Sequence, residues 1–385
     1  MNDPVNTSVS VDNTGKELVL VKPFVPPIEE LLPYLDRIRK SRHLTNGGPV
    51  HAELEQALCD FLGVKNICLF ANGTLALMIA LRSLRLTGEV ITTPFTSPAT
   101  IQAIYWNNLK PVFVDIREND LNIDAGLIEA AITPQTSAIL PVHIFGTPCD
   151  VERIGHLARK HDLKVIYDAA HCFGVGIRGD SICNSGDMSV LSFHATKVFN
   201  TLEGGAIVFG DQTLKKHVDA LKNTGLGSDH NLMGYGINSK MNEIQAAFGL
   251  CQLKYMDGVI ASRRAATMKY RELLAGFNGL ILPEDVAGVR HNYSYFPVII
   301  EPDIFGAGRD ELYDHLKIRN IATRKYFYPL ACDFTEFEMY KTTDLPIAQR
   351  TAKRILCIPL FHDISEEQIR FVVHSISELY RGSYK

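Results

Sequence analysis

The chain has 385 residues, of which 46% are hydrophobic and 21% are charged. This composition excludes wholesale disorder and supplies enough apolar side chains for one large domain and a smaller one. The formal net charge of −4 gives no general electrostatic attraction to nucleic acid or to an anionic membrane. No apolar run reaches the roughly 18–20 residues of a membrane-spanning helix, and the polar start of the chain lacks the features of a signal peptide.

Residues 1–16 mix Asn, Asp, Ser, Thr and Gly without periodicity, which predicts a flexible N-terminal arm. The eight cysteines are scattered, with no C-x-x-C pair and no His and Cys spacing typical of zinc. Buried free thiols in a reducing compartment fit this pattern best, and disulfides or a metal are the alternatives. We therefore predict a cytoplasmic protein without a metal site.

Between about residues 60 and 210, short β-rich runs alternate with helical patterns. Strands are predicted at 67–70, 89–93, 111–115, 138–143, 164–168, 188–193 and 206–209. Several of them are almost entirely apolar, which is typical of strands buried on both faces of a mostly parallel sheet. The alternation predicts an α/β sandwich. We expect Tyr105, Trp106 and Phe113 to be core residues and Asp115 to cap a strand end rather than to catalyse a reaction.

After residue 210 the pattern changes. Apolar residues three or four positions apart, at Met241, Ile244, Phe248, Cys251 and Tyr255, predict a long amphipathic helix. The remaining patterns predict helices at 263–277, 309–319 and 366–380 and a strand at 295–300. The chain is therefore divided into the arm at 1–16, a large α/β domain at 17–255 and a small α+β domain at 256–385.

Three segments place polar side chains where predicted strands end, which is the sheet edge at which α/β proteins bind ligands. The turn 72–74 (Asn-Gly-Thr) precedes a helix, so it could hold a phosphate or act as an ordinary helix cap. Asp168 ends a buried strand, where its carboxylate either meets a cation or a donor or caps a helix. Lys197 follows another strand and could form a Schiff base, although most lysines are solvated surface charges.

Taken together with further motifs from residue 23 onwards, these segments resemble the DegT/DnrJ/StrS family of sugar aminotransferases. The motifs are Leu-Thr-Asn-Gly-Gly-Pro (44–49), Asn-Gly-Thr (72–74), Thr-Pro-Phe-Thr (93–96), Asp-Ala-Ala-His (168–171), Ser-Phe-His-Ala-Thr-Lys (192–197), Glu-Gly-Gly (203–205), Gly-Ile-Asn (236–238) and Gln-Ala-Ala-Phe-Gly-Leu-Cys-Gln-Leu (245–253). The resemblance implies the aspartate-aminotransferase fold, which is fold type I of the pyridoxal-phosphate enzymes. This fold is a three-layer α/β sandwich with a mostly parallel sheet and a smaller C-terminal α+β domain.

The resemblance also implies roles for individual residues. Lys197 would form the Schiff base with pyridoxal 5′-phosphate and act as general base, and Asp168 would pair with the protonated pyridine nitrogen. The other implied cofactor contacts are Gly73, Thr74 and Ser192 at the phosphate, Phe95 stacked on the ring, His171 near the phenolic oxygen where many relatives have Gln, and Asn238 from a second subunit. The implied substrate contacts, each of which could instead be a contact within the fold, are Lys240, His291, Arg324 and Tyr326.

The segment 192–205 is most similar to the VioA-type branch, which aminates the 4-keto group of a dTDP-4-keto-6-deoxy-hexose. The resemblance therefore implies amino transfer from glutamate to form dTDP-4-amino-4,6-dideoxyglucose for O-antigen or another surface polysaccharide. It also implies a homodimer with shared active sites and pyridoxamine 5′-phosphate formed during turnover.

Three alternatives remain open at this point: another keto-sugar nucleotide as substrate (UDP-linked, 4-keto or 3-keto), a pyridoxal-phosphate-dependent sugar dehydratase, and a regulator without catalytic activity. Dehydratase relatives replace the Schiff-base lysine with His, so Lys197 disfavours that alternative. A regulator would not need Lys197, Asp168, Ser192 and Thr74 together.

Overall fold

The structure is a computed structural model that describes residues 17–227, 229–341 and 344–382. The arm predicted at 1–16 lies outside the described residues. The strands are, in chain order, β1 Asn66–Phe70, β2 Glu89–Thr92, β3 Lys110–Phe113, β4 Thr136–Leu140, β5 Lys164–Asp168, β6 Gly176–Ile177, β7 Asp180–Ser181, β8 Met188–Ser192, β9 Gly205–Phe209, β10 Leu280–Ile281, β11 Val289–Arg290, β12 Phe296–Ile300 and β13 Ile355–Ile358. The helices are α1 Ile28–Ser41, α2 Pro49–Leu62, α3 Gly73–Ser83, α4 Pro98–Trp106, α5 Ala125–Ile128, α6 Val151–His161, α7 Thr213–Leu221, α8 Glu243–Leu253, α9 Met256–Leu274, α10 Pro302–Phe305, α11 Arg309–Ile318, α12 Pro346–Ala352 and α13 Glu366–Ser377.

A seven-stranded sheet forms the centre of the fold, with the strand order β1–β9–β8–β5–β4–β2–β3. Strand β9 is antiparallel to both of its neighbours, whereas the pairs from β8 to β3 are parallel. Side chains alternate between the two faces, so that Ile166 packs with α3, α4 and α7 while Val165 and Tyr167 pack with α6. Leu69 and Val208 pack with α2 and α8. Helices therefore cover both faces, which confirms the predicted three-layer sandwich.

The predicted strands of this sheet overlap the observed ones, and the strand at 164–168 agrees at both ends. The predicted helix at 241–255 is α8, which begins after the N-cap Asn242 and ends at Leu253. The core prediction was wrong for Tyr105 and Trp106, which are 54% and 68% exposed, and right for Phe113. Both aromatic residues occupy the last turn of α4, whose buried side consists of Thr100, Ile101, Ala103 and Ile104.

The C-terminal part contains a second sheet, in which β12 lies between β10 and β13 and is antiparallel to both. Helices α9, α11 and α13 pack with this sheet in one apolar cluster. Another cluster joins Phe95 and Val142 from the N-terminal part to Tyr295, Phe327 and Cys357 from the C-terminal part. The two parts are thus packed together, and the domain boundary between residues 255 and 256 stays a prediction.

Within the described ranges, every helix is too short or too polar to cross a bilayer. The eight cysteines carry free thiols, and all of them except Cys59 are buried.

Candidate active site

A cavity of about 620 Å³ opens at the carboxyl ends of β5 and β8. These strands are parallel neighbours, so the residues that follow them meet at one edge of the sheet. Residues from the segments 72–77, 96–99, 168–171 and 190–197 line the cavity together with Phe327. The cavity thereby brings together six of the predicted site residues, which are Gly73, Thr74, Asp168, His171, Ser192 and Lys197.

Asp168 lies at the end of β5 and is only 4% exposed. One carboxylate oxygen accepts a hydrogen bond from the Thr100 hydroxyl at 2.8 Å, and the other accepts one from the Ala170 backbone N–H at 3.1 Å. Burial raises the pKa of Asp168, while the two hydrogen bonds and the charge of Lys197 oppose that rise. A cation against this carboxylate would favour its ionised form, so this wall of the cavity suits a protonated ring nitrogen.

Sequence reasoning did not identify Thr96 and Thr100, which support this carboxylate. Their hydroxyl oxygens lie 2.8 Å apart, and that of Thr100 donates to Asp168. Both residues are buried, on either side of the Ser97 that caps α4. Thr96 belongs to a quoted motif, yet no local pattern indicates contact with residue 168, because β2 reaches β5 only across β4.

His171 follows Asp168 in the turn after β5. Its Nδ1 accepts a hydrogen bond from the Phe145 backbone N–H at 3.1 Å, so the proton of the neutral ring is assigned to Nε2. Burial lowers the pKa of His171 well below its ordinary value, and the nearby charge of Lys197 acts in the same direction. His171 therefore offers a neutral N–H donor, which a contact with a phenolic oxygen would need.

Lys197 lies in the turn after β8, where its backbone N–H donates to the His194 carbonyl oxygen at 2.9 Å. Its Nζ is 3.5 Å from the Tyr295 hydroxyl oxygen. Burial lowers the pKa of this amine, while Asp168 and Tyr326 oppose the effect. A lysine with a lowered pKa spends more time as the neutral amine, which is the nucleophilic form.

The N terminus of α3 forms another wall of the cavity. Asn72 caps this helix by accepting a hydrogen bond from the Leu75 backbone N–H at 2.9 Å, so the predicted cap is present. A Cβ at Gly73 would lie 3.0 Å from the Cβ of Ser192, and glycine thus permits the close approach of α3 to β8. The first N–H groups of the helix and the hydroxyls of Thr74 and Ser192 together suit a phosphate.

Two predicted cofactor residues lie outside the lining of this cavity. Phe95 is fully buried, and its ring packs edge-to-face on Phe327 with 5.5 Å between the centroids. Asn238 is exposed and forms a backbone bridge with Asn223. The ring-stacking role of Phe95 and the contact of Asn238 with a second subunit stay predictions.

The four predicted substrate residues are distributed over three other cavities. Arg324 and Tyr326 line one of about 360 Å³, which shares Thr96 and Phe327 with the cavity around Lys197. They are therefore adjacent to the candidate site.

Lys240 and His291 do not line the cavity around Lys197. The Lys240 amine donates to the Asn223 side-chain oxygen at 2.6 Å in a cavity of about 410 Å³. His291 lines a cavity of about 490 Å³ and accepts a hydrogen bond from the Tyr293 backbone N–H at 2.7 Å. Burial lowers the pKa of His291 to about 4, so this imidazole is neutral at physiological pH.

Across the described parts of the chain, one group of side chains has the spacing of metal ligands, namely Glu55, Cys68 and Asp219. The amine of Lys215 lies 3.0 Å from Glu55, 3.3 Å from Cys68 and 3.2 Å from Asp219. This group is therefore an ion-pair cluster around a lysine.

A profile of the DegT/DnrJ/EryC1/StrS aminotransferase family matches residues 27–377. The chain belongs to this family. It is 46% identical to the dTDP-4-amino-4,6-dideoxy-D-glucose transaminase of Shigella dysenteriae over 365 aligned residues. The alignment covers 94% of this chain and 99% of that protein. The Escherichia coli protein of the same name is also 46% identical, over 95% of this chain and 99% of its own length. The predicted family is thereby confirmed, and the chain is a sugar aminotransferase.

Solved structures of sugar aminotransferases share this fold. DesI, solved in the presence of its TDP-sugar product, is 34% identical and superimposes with a TM-score of 0.90 over 94% of this chain and 92% of its own. Helicobacter pylori PseC, an aminotransferase of pseudoaminic acid biosynthesis, is 26% identical with a TM-score of 0.88 over 95% and 99%. These similarities confirm the predicted fold class.

The residues around the cavity fit the cofactor on which aminotransferases depend. A buried carboxylate, a lysine amine and a helix N terminus with two hydroxyls surround one space, through Asp168, Lys197, Thr74 and Ser192. Pyridoxal 5′-phosphate presents a basic ring nitrogen, an aldehyde and a phosphate, and each of these groups has a complementary partner in that set.

Proposed function

We propose that this aminotransferase moves an amino group from glutamate to the 4-keto group of dTDP-4-keto-6-deoxyglucose, producing dTDP-4-amino-4,6-dideoxyglucose. The observation that carries this proposal is the 46% identity, over nearly the full length of both chains, to two proteins named for that product. Relatives named for UDP- and GDP-linked sugars are less similar, at 33% and 32% identity. The cofactor of the proposed reaction is pyridoxal 5′-phosphate.

When bound, this cofactor would supply a ring that accepts the electron pair left when a proton leaves the reacting carbon. Asp168 would hold the proton on the ring nitrogen and so keep the ring electron-withdrawing. Thr100 and the Ala170 N–H fix the orientation of its carboxylate at 2.8 and 3.1 Å. The phosphate would be bound by the first turn of α3 and by the Ser192 hydroxyl.

Lys197 would carry the proton transfers of the proposed reaction. Burial lowers the pKa of its amine, so the neutral form is available to bond with a carbonyl carbon and to accept a proton from a substrate carbon. His171 would donate its Nε2–H to the phenolic oxygen. The presence of Lys197 is the observation that disfavours a dehydratase.

We expect the second subunit of a homodimer to complete each active site. Asn238 follows a segment that exposes large apolar side chains, including Leu232 and Tyr235, of which Tyr235 is 84% exposed. Exposed apolar side chains in one short segment are typical of a surface that another chain covers. We propose that a second copy of this chain covers this segment and that its Asn238 contacts the phosphate bound by its neighbour.

A panel of substrates tests the proposed reaction. The purified protein, supplied with pyridoxal 5′-phosphate and glutamate, is incubated with dTDP-4-keto-6-deoxyglucose, with its UDP- and GDP-linked counterparts and with a 3-keto isomer. We expect the dTDP-linked 4-keto sugar to give the highest kcat/KM, and NMR to place the new amino group equatorially on C4 with the gluco configuration.

The Lys197→Ala variant is the control for that panel, since it should bind the cofactor without turnover. Preference for a UDP- or GDP-linked sugar would contradict the proposed substrate, and loss of an oxygen without gain of nitrogen would identify a dehydratase.

A further inference from the structure

Tyr295 lies beside Lys197, although no motif in the sequence indicated it. The tyrosine immediately precedes β12 and is 7% exposed. Its hydroxyl oxygen is 3.5 Å from the Lys197 Nζ, and its ring centroid is 5.8 Å from the same nitrogen. Within 17–227, 229–341 and 344–382, this hydroxyl is the one side-chain group found within hydrogen-bond distance of the lysine amine.

Aromatic neighbours hold the ring of Tyr295 in place on three sides. The ring packs edge-to-face with His171, Phe145 and Tyr326, with centroid distances of 4.9, 5.7 and 5.5 Å. A ring enclosed in this way cannot change rotamer without displacing its neighbours. The hydroxyl therefore occupies a defined position relative to Lys197.

The backbone on the N-terminal side of Tyr295 is anchored as well. The buried guanidinium of Arg263 donates to the carbonyl oxygens of Tyr293 and Ser294 at 2.8 and 2.6 Å. The Ser294 hydroxyl donates to the carbonyl oxygen of His171 at 2.9 Å. The same short segment thus links the tyrosine to the turn that carries His171.

The direction of this hydrogen bond depends on the protonation of Lys197: an ammonium group donates to the Tyr295 oxygen, whereas a neutral amine can accept the phenol proton. Burial raises the pKa of Tyr295, so its hydroxyl keeps its proton at physiological pH, and burial lowers the pKa of Lys197 towards the neutral amine. The other titratable groups facing Lys197 are Asp168, Tyr326 and Cys172, which favour its charged form, and His171, which follows Asp168 in the turn after β5. None of these four lies within hydrogen-bond distance of the amine among the described contacts.

We propose that Tyr295 is a positioning residue for Lys197: its hydroxyl donates a hydrogen bond to the free amine, holds that amine at the cavity, and stabilises it in the neutral form. This inference rests on the proposed function, in which Lys197 must be neutral to bond with a carbonyl carbon. The residue acts on the reaction through Lys197 and does not itself exchange a bond with the substrate.

The acid constant of Lys197 in the cofactor-free protein provides the test. Competitive labelling with acetic anhydride across a pH series, read at the Lys197 peptide by mass spectrometry, gives the midpoint at which the amine becomes reactive. Tyr295→Phe keeps the ring and removes the hydroxyl. We expect its midpoint to rise by about 0.5–1 pH unit, because a lost hydrogen bond to the neutral amine corresponds to roughly a three- to tenfold change in the acid constant.

Tyr293→Phe is the matched control. Tyr293 is two positions away and equally buried at 7%, but its hydroxyl lies 3.4 Å from a carboxylate oxygen of Asp285 and not beside Lys197. Its Lys197 midpoint should equal that of the unmodified protein. Incorporation of 3,5-difluorotyrosine at position 295 supplies the opposite change without altering the packing, since the more acidic phenol is a stronger donor and should lower the midpoint.

The direction of the shift decides the proposal. A midpoint that stays constant or falls in Tyr295→Phe would overturn it, because the hydroxyl would then be uninvolved or would be accepting a hydrogen bond from the ammonium form. With cofactor added, Tyr295→Phe should lower kcat near neutral pH and leave KM for the sugar unchanged. The labelling result does not depend on turnover, so it separates failure of this inference from failure of the proposed reaction.

Discussion

Asp168 combines a stability cost with a proposed functional role. Burial raises its pKa above that of a carboxyl in the unfolded chain. A group whose folded-state pKa is raised loses stability as the pH rises through that pKa, because the folded state then resists ionisation more than the unfolded state does. In the cofactor-free protein at neutral pH, Asp168 is therefore expected to be destabilising.

We predict that Asp168→Asn raises the melting temperature of the cofactor-free protein at pH 7 while lowering kcat by at least about 100-fold. The amide keeps an oxygen that can accept the hydrogen bond from Thr100 or Ala170, so the packing is preserved. Differential scanning calorimetry at pH 4 and pH 7 checks the stability half, and the gain should be confined to the higher pH. A variant with unchanged kcat would show that Asp168 does no more than order the turn.

The sequence predicted the position of individual site residues where side chains follow strands in recognisable motifs, as with Asp168 and Lys197, which both line the cavity. It did not reveal Thr100 or Tyr295. Their contacts cross the sheet or come from the C-terminal part, and a single sequence contains no local pattern for such pairs. The prediction that Trp106 is a core residue was wrong for another reason. Large aromatic side chains prefer the core on average, but this preference does not decide which side of a helix end such a side chain occupies.

The N terminus of helix α12 is capped by a carboxylate that lies more than 200 residues earlier in the chain. Asp115, which the sequence suggested to be a cap rather than a catalyst, is 5% exposed and accepts hydrogen bonds from the backbone N–H groups of Ile347 and Ala348 at 2.9 and 2.8 Å. Ile347 and Ala348 belong to the first turn of α12. A carboxylate that lies two residues after β3 therefore caps a helix of the C-terminal part. The sequence predicted that Asp115 caps a strand end, and the structure shows that its carboxylate also binds the first turn of α12, which no local pattern could indicate.

We predict that Asp115→Ala lowers the free energy of unfolding by about 2–4 kcal/mol, because it leaves buried N–H groups without acceptors. Glu118→Ala is the control, since Glu118 forms an exposed ion pair with Arg350 of the same helix at 2.6 Å. That pair should be worth less than about 1 kcal/mol. Urea unfolding of both variants checks this, and equal losses would refute the assignment of Asp115 as the dominant contact.

The observed helices also show where periodicity falls short. The apolar stripe predicted one helix from Met241 to Tyr255, whereas α8 ends at Leu253 and α9 begins at Met256. Residues of both helices pack in the same apolar cluster, so buried side chains continue from the end of α8 into the start of α9. Met241, Phe248 and Cys251 of the predicted stripe are buried, whereas Ile244 is 48% exposed. The prediction was therefore right for part of the stripe, and the break between the two helices could not be inferred from it.

For the whole molecule, the shared-site proposal makes a distinctive prediction. A Lys197→Ala subunit retains Asn238, and an Asn238→Ala subunit retains Lys197. If each site takes Lys197 from one subunit and Asn238 from the other, a mixed dimer contains one site with both residues and one with neither. Mixing after dissociation should therefore restore about a quarter of the unmodified activity at random exchange.

Steady-state assays before and after mixing give the readout. Asn238→Ala alone must first show weakened cofactor affinity, and each variant mixed with itself must stay inactive. A fully active monomer in sedimentation at the assay concentration would contradict shared sites, as would the absence of recovery in dimers shown by mass spectrometry to be mixed.

The strand order has a consequence for how the protein is made. In the sheet, β1 pairs with β9, and Asn66 contacts the Phe209 carbonyl oxygen across 143 residues of chain. At the usual speed of translation, about 5–20 residues per second, the first strand waits on the order of 10–30 s for its partner to be synthesised. The turn at 72–74, which we propose to bind a phosphate, emerges early, Lys197 much later and Tyr295 later still. A cofactor bound as we propose can therefore stabilise the fold only after these residues have been synthesised, and until residue 209 has been made β1 lacks the strand with which it pairs.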